Sequence, residues 1–320
     1  MVMEKINIWE IGERINVKVS ISFTDLINNK IEKKFGTKRL VHKQLIKDYS
    51  IPFSTFKSRM KRGYKYFVEL DILLNLCNLL EIPLEILQKN IVAYKARRGH
   101  NYIEKPKLPI EITPIFDMLI AHHISDGNVV NPFGRKPYFA YRQFDKEYRD
   151  LYVKKIESVF GVLNYENKYF DNKDTTRIYF PVAAAALMFK VYDLGVDDFK
   201  SELARIPVNL LNKDWKHQLA FLIGVIIDEG TVDSSLISIR MKNKGFVGDL
   251  GKICVNLGYD FSFSHEKNGL FGLYILSKDL NKFYANYLEL LKEYPEINLG
   301  HKGEKIKAFV TRINKPKVYI

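Results

Sequence analysis

Cysteine is almost absent. Cys77 and Cys254 are the only two in 320 residues, far apart and without paired spacing, which excludes a disulfide framework and a zinc ribbon. Both read as small core residues of a reducing compartment. No apolar run approaches the roughly 20 residues that cross a bilayer, and Met1 to Arg14 lacks the basic-then-apolar order of a secretory leader. The expectation is an intracellular, cytoplasmic protein with no membrane partner. Acidic residues are in the minority, 37 Asp and Glu against 50 Lys and Arg, for a formal net charge of +13. With 47% apolar and 27% charged residues the chain has the balance of a core-forming protein of two or three domains, not of a disordered one. Its positive excess favours a polyanionic partner, because docking on phosphate releases condensed counterions. Nucleic acid is the leading candidate.

The charge is unevenly spread. Met1 to Lys105 holds 20 Lys/Arg against 11 Asp/Glu, so nine of the thirteen net charges lie in the first third. There Thr37 to Tyr49 predicts a short helix, with Leu40, Val41, Leu45 and Ile46 at helical spacing, interrupted by Ser50-Ile51-Pro52. A second helix, Ser54 to Lys61, has Ser54 as N-cap, Gly63 just past its end, and Thr55, Lys57, Ser58, Arg59 and Lys61 outward. A longer apolar helix, Val68 to Leu80, supplies the packing partner, and Ile82-Pro83-Leu84 starts another. The order resembles the phage-repressor helix-turn-helix, and that resemblance implies a small helical DNA-binding domain over residues 1–98. Its second helix would then enter the major groove of DNA by its N-terminal residues. Lys95, Arg97, Arg98, Lys105 and Lys107 with Gly99 and Pro106 suit an exposed basic linker, taken as residues 99–109. Partial alternation at Ile6, Ile8, Val17, Val19 and Ile21 suggests a small hairpin in the first twenty residues.

The rest of the chain repeats itself. "MLIAHHISDGNV" at Met118 to Val129 and "FLIGVIIDEGTV" at Phe221 to Val232 lie 103 residues apart. Each is an apolar helix ending in an acid directly before glycine: Asp126-Gly127 and Glu229-Gly230. After the first come a hairpin (Asn128 to Phe144), a helix (Lys146 to Phe160), a second hairpin (Leu163 to Phe180, turning at Asp171-Asn172) and a helix (Val182 to Tyr192). After the second come Thr231 to Met241, the helix Phe246 to Leu257, a hairpin Phe261 to Leu276 turning at Asn268-Gly269, and the helix Leu280 to Leu291. The economical reading is an α+β fold of two pseudo-symmetric αββαββα halves in one chain, residues 110–212 and 213–320.

The paired motifs and the order of elements after them resemble the LAGLIDADG homing endonucleases, in the single-chain form, from Ile110 to about Lys307. The second motif also follows Ala204-Arg205-Ile206-Pro207, as that family's second half often does. The resemblance implies two motif helices side by side on a pseudo-two-fold axis in a monomer, with small residues at the contact, here Ala121, Ser125 and Gly224. The terminal acids then lie next to each other, and each following glycine releases the chain by adopting positive φ. Facing carboxylates repel unless a hard cation sits between them, so Asp126 and Glu229, with Gly127 and Gly230 beside them, are expected to hold Mg²⁺ or Mn²⁺. The ion would activate water and stabilise the leaving oxygen at each scissile phosphate. Lys200 and Lys302 occupy the places where the family sets an auxiliary lysine near the metal.

The motifs depart from the family pattern in carrying Ile124 and Ile227 at the position of its first acid. His122 and His123 are open to metal-adjacent or general-base roles, although a histidine on a packed helix reads first as a hydrogen-bonded structural residue. Asp228 is a rival ligand, but only Glu229 matches the position of Asp126. In this family the sheets straddle the major groove of double-stranded DNA. The matching residues are Arg135, Lys136, Tyr138 and Arg142 in the first half and Ser238, Arg240 and Lys242 in the second. Lys168, Lys173, Arg177, His265 and Lys267 extend the footprint from the hairpins. Many relatives sit inside inteins, whereas this chain begins at Met1, has no nucleophile there and lacks a terminal asparagine. The reading is a site-specific, metal-dependent DNA endonuclease. The alternative is a non-cleaving regulator or an RNA-splicing maturase on the same scaffold.

Overall fold

The computed structural model describes residues 5–11, 14–45, 51–61, 65–97, 99, 101–130, 138–165, 176–233 and 235–313. The N-terminal third runs β1 (Lys5–Ile6), β2 (Ile15–Val19), α1 (Ile21–Phe35), α2 (Lys38–Leu45), α3 (Phe53–Lys61), β3 (Val68–Glu69), α4 (Leu70–Leu79), α5 (Leu84–Lys89), β4 (Ile91–Ala96), β5 (Asn101–Glu104) and β6 (Ile110–Glu111). It is a mixed α/β unit and not the small helical domain expected. Two of the helices follow from the sequence pattern: in α3, Phe56 and Met60 point inward one turn apart, and α4 buries Leu70, Leu73, Leu76 and Cys77.

The strands find partners far away in sequence. β1 and β2 do not pair with each other as a hairpin. β1 pairs with β6, and β2 lies between β3 and β4. The expected basic linker is also corrected: it contains β5, whose Ile103 is fully buried. β5 pairs with β4 on one side and with β9 (Val162–Tyr165) on the other. A five-stranded antiparallel sheet, β3-β2-β4-β5-β9, therefore runs from the N-terminal third into the first repeat. Lys105 and Lys107 remain exposed, and Lys107 Nζ donates to the Ser158 carbonyl at 2.6 Å.

The first repeat comprises α6 (Pro114–Ser125), β7 (Gly127–Val130), β8 (Tyr138–Arg142), α7 (Lys146–Phe160), β9, β10 (Arg177–Tyr179) and α8 (Val182–Tyr192), with α9 (Val208–Leu211) leading on. The second comprises α10 (Trp215–Glu229), β11 (Gly230–Val232), β12 (Ile237–Met241), α11 (Lys244–Leu257), β13 (Phe261–His265), β14 (Phe271–Ile275), α12 (Leu280–Glu293) and α13 (His301–Ile313). The second repeat closes a four-stranded sheet, β11-β12-β14-β13, whereas the first forms β10-β8-β7 and lends β9 to the N-terminal sheet. The hairpin expected over Leu163 to Phe180 is corrected, since β9 pairs with β5 and β10 with β8 in different sheets, and its expected turn at Asp171-Asn172 lies outside the described residues. α6 and α10 are apolar on every face and almost wholly buried, the pattern of central helices.

Candidate functional site

α6 starts at Pro114, in the first turn after Thr113, and α10 is capped by Asp214, whose Oδ1 accepts from the Lys216 N–H at 2.8 Å. Their starts are tied across the repeats by Asp117, which is fully buried. Its carboxylate accepts from Lys213 Nζ at 2.9 Å, contacts His217 Nδ1 at 2.6 Å and accepts from the Tyr192 hydroxyl. Midway, Gly224 faces Ala121 so closely that a Cβ on the glycine would lie 2.8 Å from the alanine Cβ and 3.1 Å from the Met118 carbonyl oxygen. This approach sets the two C-terminal ends side by side.

Asp126 directly follows α6, and Glu229 is the last residue of α10. Both are half-buried. Burial, then the charge of Asp228, pushes the Asp126 carboxyl up to about 7. Burial, then Asp126 and Asp228, pushes Glu229 up to about 7 as well. Lys302 opposes both shifts. The glycines that follow do not take the positive φ expected of them: Gly230 is extended at φ −81°, and Gly127 is not among the positive-φ residues either. Their role is steric. A Cβ would lie 2.4 Å from the His123 carbonyl oxygen at Gly127 and 2.6 Å from that of Ile226 at Gly230.

The two expected lysines part company. Lys302, near the start of α13, donates to the carbonyls of Ile226, Ile227 and Gly230 at 2.8, 2.6 and 2.7 Å. It thus caps the negative end of α10. Burial lowers its pKa, and Asp228, Asp126 and Glu229 raise it in return. Lys200 stands exposed beside Asp197, with Nζ 2.6 Å from that carboxylate, and is not brought to the acids.

Sequence reasoning passed over the polar cluster behind the acids. Asp228 is fully buried, takes a hydrogen bond from the Tyr141 hydroxyl at 2.8 Å and lies 2.8 Å from His122 Nδ1. His123 Nε2 is 3.1 Å from the Tyr152 hydroxyl, so each histidine has one ring nitrogen in hydrogen-bond reach of a partner, while His122 Nε2 and His123 Nδ1 are buried without one among the described residues. Lys155, also buried, is pushed down to about 8 by burial, with Asp228 and Glu296 opposing. Its sequence signals were the pair of histidines on an apolar helix and Asp228 directly before Glu229. Burial pushes Asp228 up to about 8, against Tyr141, Lys155 and Lys302. Asp228→Asn is then nearly isosteric and should cost no more than about 1 kcal/mol, whereas Asp228→Ala strands two buried partners and should cost about 2–4 kcal/mol. Because the folded pKa is raised, the stability Asp228 contributes is lost as pH rises through 8. The Asn variant should therefore gain on the native protein between about pH 5 and 8 and level off above that, as read by urea unfolding; an Asn variant as unstable as Ala would refute this.

The sheets place the expected DNA-facing residues unequally. Arg142 and Arg177 stand opposite each other in the β8–β10 register on the face away from the helices, with the Arg142 guanidinium 5.2 Å from the Phe144 ring. Arg240 is exposed on the matching face of the second sheet, 3.3 Å from Glu266. Lys242 and Lys267 are exposed beyond the strand ends. One expectation is corrected. Ser238 is 3% exposed, enclosed in the middle of the sheet with Thr231 and Tyr274 opposite it in register. His265 stands exposed at the end of β13, pairs with Phe271 and stacks on its ring at 4.5 Å. Arg135, Lys136, Lys168 and Lys173 lie outside the described residues, and Tyr138 is described only as a backbone position in β8. On α3, Lys57 and Ser58 are exposed, Thr55 and Arg59 half-buried, and Lys61 ends the helix.

Among the described residues, no group of three or more His, Cys, Asp and Glu side chains is arranged to hold a metal. The available donors are two carboxylates whose pKa values are raised by burial and neighbouring acids, together with backbone carbonyls. Such a hard oxygen set fits Mg²⁺ or Mn²⁺, which bind through one or two carboxylates and complete their shell with phosphate and water.

No family model matches the sequence, and no curated protein does. Solved structures similar to this chain include mesophilic variants of the homing endonuclease I-DmoI, at 15% identity and a TM-score of 0.40 over 54% of this chain and 88% of that one. I-DmoI in complex with DNA and Mn follows at 16% identity and 0.39, over 54% and 94%. The homing endonuclease I-WcaI bound to its DNA recognition sequence stands at 14% and 0.41, over 61% and 87%.

Proposed function

We propose that this chain is a DNA endonuclease of the LAGLIDADG homing type, a monomer with internal pseudo-symmetry that hydrolyses phosphodiesters of double-stranded DNA with Mg²⁺ or Mn²⁺. The observation that carries the reading is the meeting of Asp126 and Glu229 at the ends of two packed, repeated helices, each acid raised to about 7. A hard cation relieves that stored repulsion. When bound, the ion neutralises charge on a phosphate and acidifies water.

The protein's own groups do the rest. Asp126 and Glu229 fix the position of the ion, and the contact of Gly224 with Ala121 fixes their spacing. Lys302, anchored by three carbonyls, holds a cation beside the acids and offsets negative charge brought in by phosphate. Arg142 opposite Arg177 is a like-charge pair that a phosphate oxygen would bridge. α2 and α3, read as a helix-turn-helix, add Lys57 and Ser58 to the DNA-facing surface.

The direct test is to incubate the protein and Mg²⁺ with a randomised duplex library and sequence the ends produced. Tight sequence-specific binding without cutting in any divalent metal would favour a non-cleaving regulator instead. Arg142→Gln and Arg177→Gln should each weaken duplex binding and lower the slope of log affinity against log salt by about 0.9, with no change in sequence preference. A slope unaltered in both variants removes these arginines from the DNA surface.

A further inference from the structure

The five-stranded sheet has one face in the core, where Val17, Val68, Tyr94 and Ile103 are 0% exposed. Its other face is built differently. In register, Asn16 stands opposite Lys95, and the Arg97 N–H donates to the Arg14 carbonyl at 2.8 Å. Arg14, Lys18, Lys95 and Arg97 therefore line one surface at alternate positions of β2 and β4 and just beyond their ends. The same registers bring Phe67, directly before β3, beside Lys18 and bring Tyr102 of β5 beside Lys95. The two rings lie 5.7 Å apart at 71°. Lys18 Nζ is 4.7 Å from the Phe67 centroid and 5.6 Å from that of Tyr102, and Lys95 Nζ is 4.9 Å from Phe67. All six are half-buried or exposed. Among the described residues the acids on this face are Glu69, 3.7 Å from Arg97 Nη2, and Glu104, which accepts from Asn164 Nδ2 at 3.1 Å. Among those same residues, four cations thus face two carboxylates around a pair of half-buried rings.

We propose that this sheet face binds single-stranded nucleic acid, with unpaired bases stacking on Phe67 and Tyr102 and the phosphates taken by Lys18, Lys95, Arg14 and Arg97. The cations are complementary to a phosphate backbone, and the rings decide which polyanion. A duplex keeps its bases stacked on one another and has no free face to offer the rings. An acidic protein or lipid surface would engage the cations but has no flat partner for Phe67 and Tyr102. Stacking on such rings contributes about 1–3 kcal/mol per base to single-strand binding and tolerates any sequence. The Lys18 ammonium over the two rings is held there by a weak contact, and it can swing on its four-carbon stem to a phosphate as a base takes its place. This site lies on different elements from Asp126 and Glu229 and does not depend on the nuclease reading.

Fluorescence polarisation with the full-length protein tests it. The probes are a labelled oligo(dT) of about 12 nucleotides, within the usual single-strand site sizes, an abasic strand of equal length, oligo(rU), and a dT·dA duplex. The native protein should bind oligo(dT) or oligo(rU) about tenfold or more tighter than the abasic strand. The tighter of the two identifies the sugar. Phe67→Leu and Tyr102→Leu should each weaken binding of the base-bearing strand by about 5- to 100-fold and leave the abasic strand unaffected, which also proves that the variants are folded. Lys18→Gln with Lys95→Gln should weaken both strands and lower the salt slope by about 0.7 per lysine. Excess unlabelled duplex should not displace the strand. The proposal is overturned if base-bearing and abasic strands bind alike, or if both leucine variants bind oligo(dT) and oligo(rU) within about twofold of the native protein. It is equally overturned if the leucine changes weaken abasic binding as much, or if duplex displaces the strand.

Discussion

Asp126→Asn or Glu229→Gln should lower double-strand cleavage by a factor of about 10²–10³ or more, since a neutral amide is a far poorer ligand for a hard cation. Duplex binding should persist and tighten somewhat, because phosphate then approaches one carboxylate fewer. A second readout does not depend on activity. The folded pKa of both carboxyls is raised from the ordinary carboxylate range to about 7, so the stability they contribute is full below about pH 4 and is lost as pH rises through 7. The melting temperature of the native protein should therefore fall more steeply between pH 5 and 8 than that of the Asp126→Asn, Glu229→Gln double variant. Mg²⁺ added at pH 8 should raise it by a few degrees in the native protein only. Cleavage that survives both substitutions would falsify the assignment of the acids, whatever the melting curves do.

The second large effect is expected at Gly224. A Cβ there meets the Ala121 Cβ at 2.8 Å and the Met118 carbonyl oxygen at 3.1 Å, and backbone of a buried helix cannot move aside as a flexible side chain can. Gly224→Val should cost about 3 kcal/mol or more, a fall in melting temperature of roughly 5 °C. It should also abolish cleavage by spreading the acids. Gly224→Ala should cost less, about 1–2 kcal/mol. Adding Ala121→Gly removes the facing methyl and should recover part of that loss, a favourable coupling in a double-mutant cycle by urea unfolding. A Gly224→Val protein as stable as the native one would mean that the helices do not need this contact.

The candidate site was legible in part because its signals are local. An apolar stretch followed by acid and glycine, repeated 103 residues later, announces two similar buried helices with acids at matching ends. The helix order after each motif and the hairpins of the second repeat follow from short-range periodicity, and so do α2, α3 and α4, whereas β9 and β10 of the first repeat pair with strands elsewhere. α1 was within reach, since Phe23, Ile27 and Ile31 recur every four residues. The alternation around Ile21 drew attention to strands instead. Asp228 could not be judged from its neighbours in the chain, because its environment is made by His122, Tyr141 and Lys155 from the other repeat.

By itself, then, the sequence determined the basic character of the first third, the repeat, the two small residues where α6 and α10 meet, and the acids that end them. Each of these depends on residues a turn or two apart. Tertiary structure alone decided that 101–104 is a sheet strand and not a linker, because a strand exists only through the partners that accept its backbone hydrogen bonds, here β4 and β9. It alone chose Lys302 over Lys200, since a long flexible side chain is positioned by whatever carbonyls and acids the fold brings within its reach. It also closed Ser238 inside the sheet while Arg240 on the same strand face stays exposed, because pairing of β12 with β11 and β14 sets Thr231 and Tyr274 on either side of the serine.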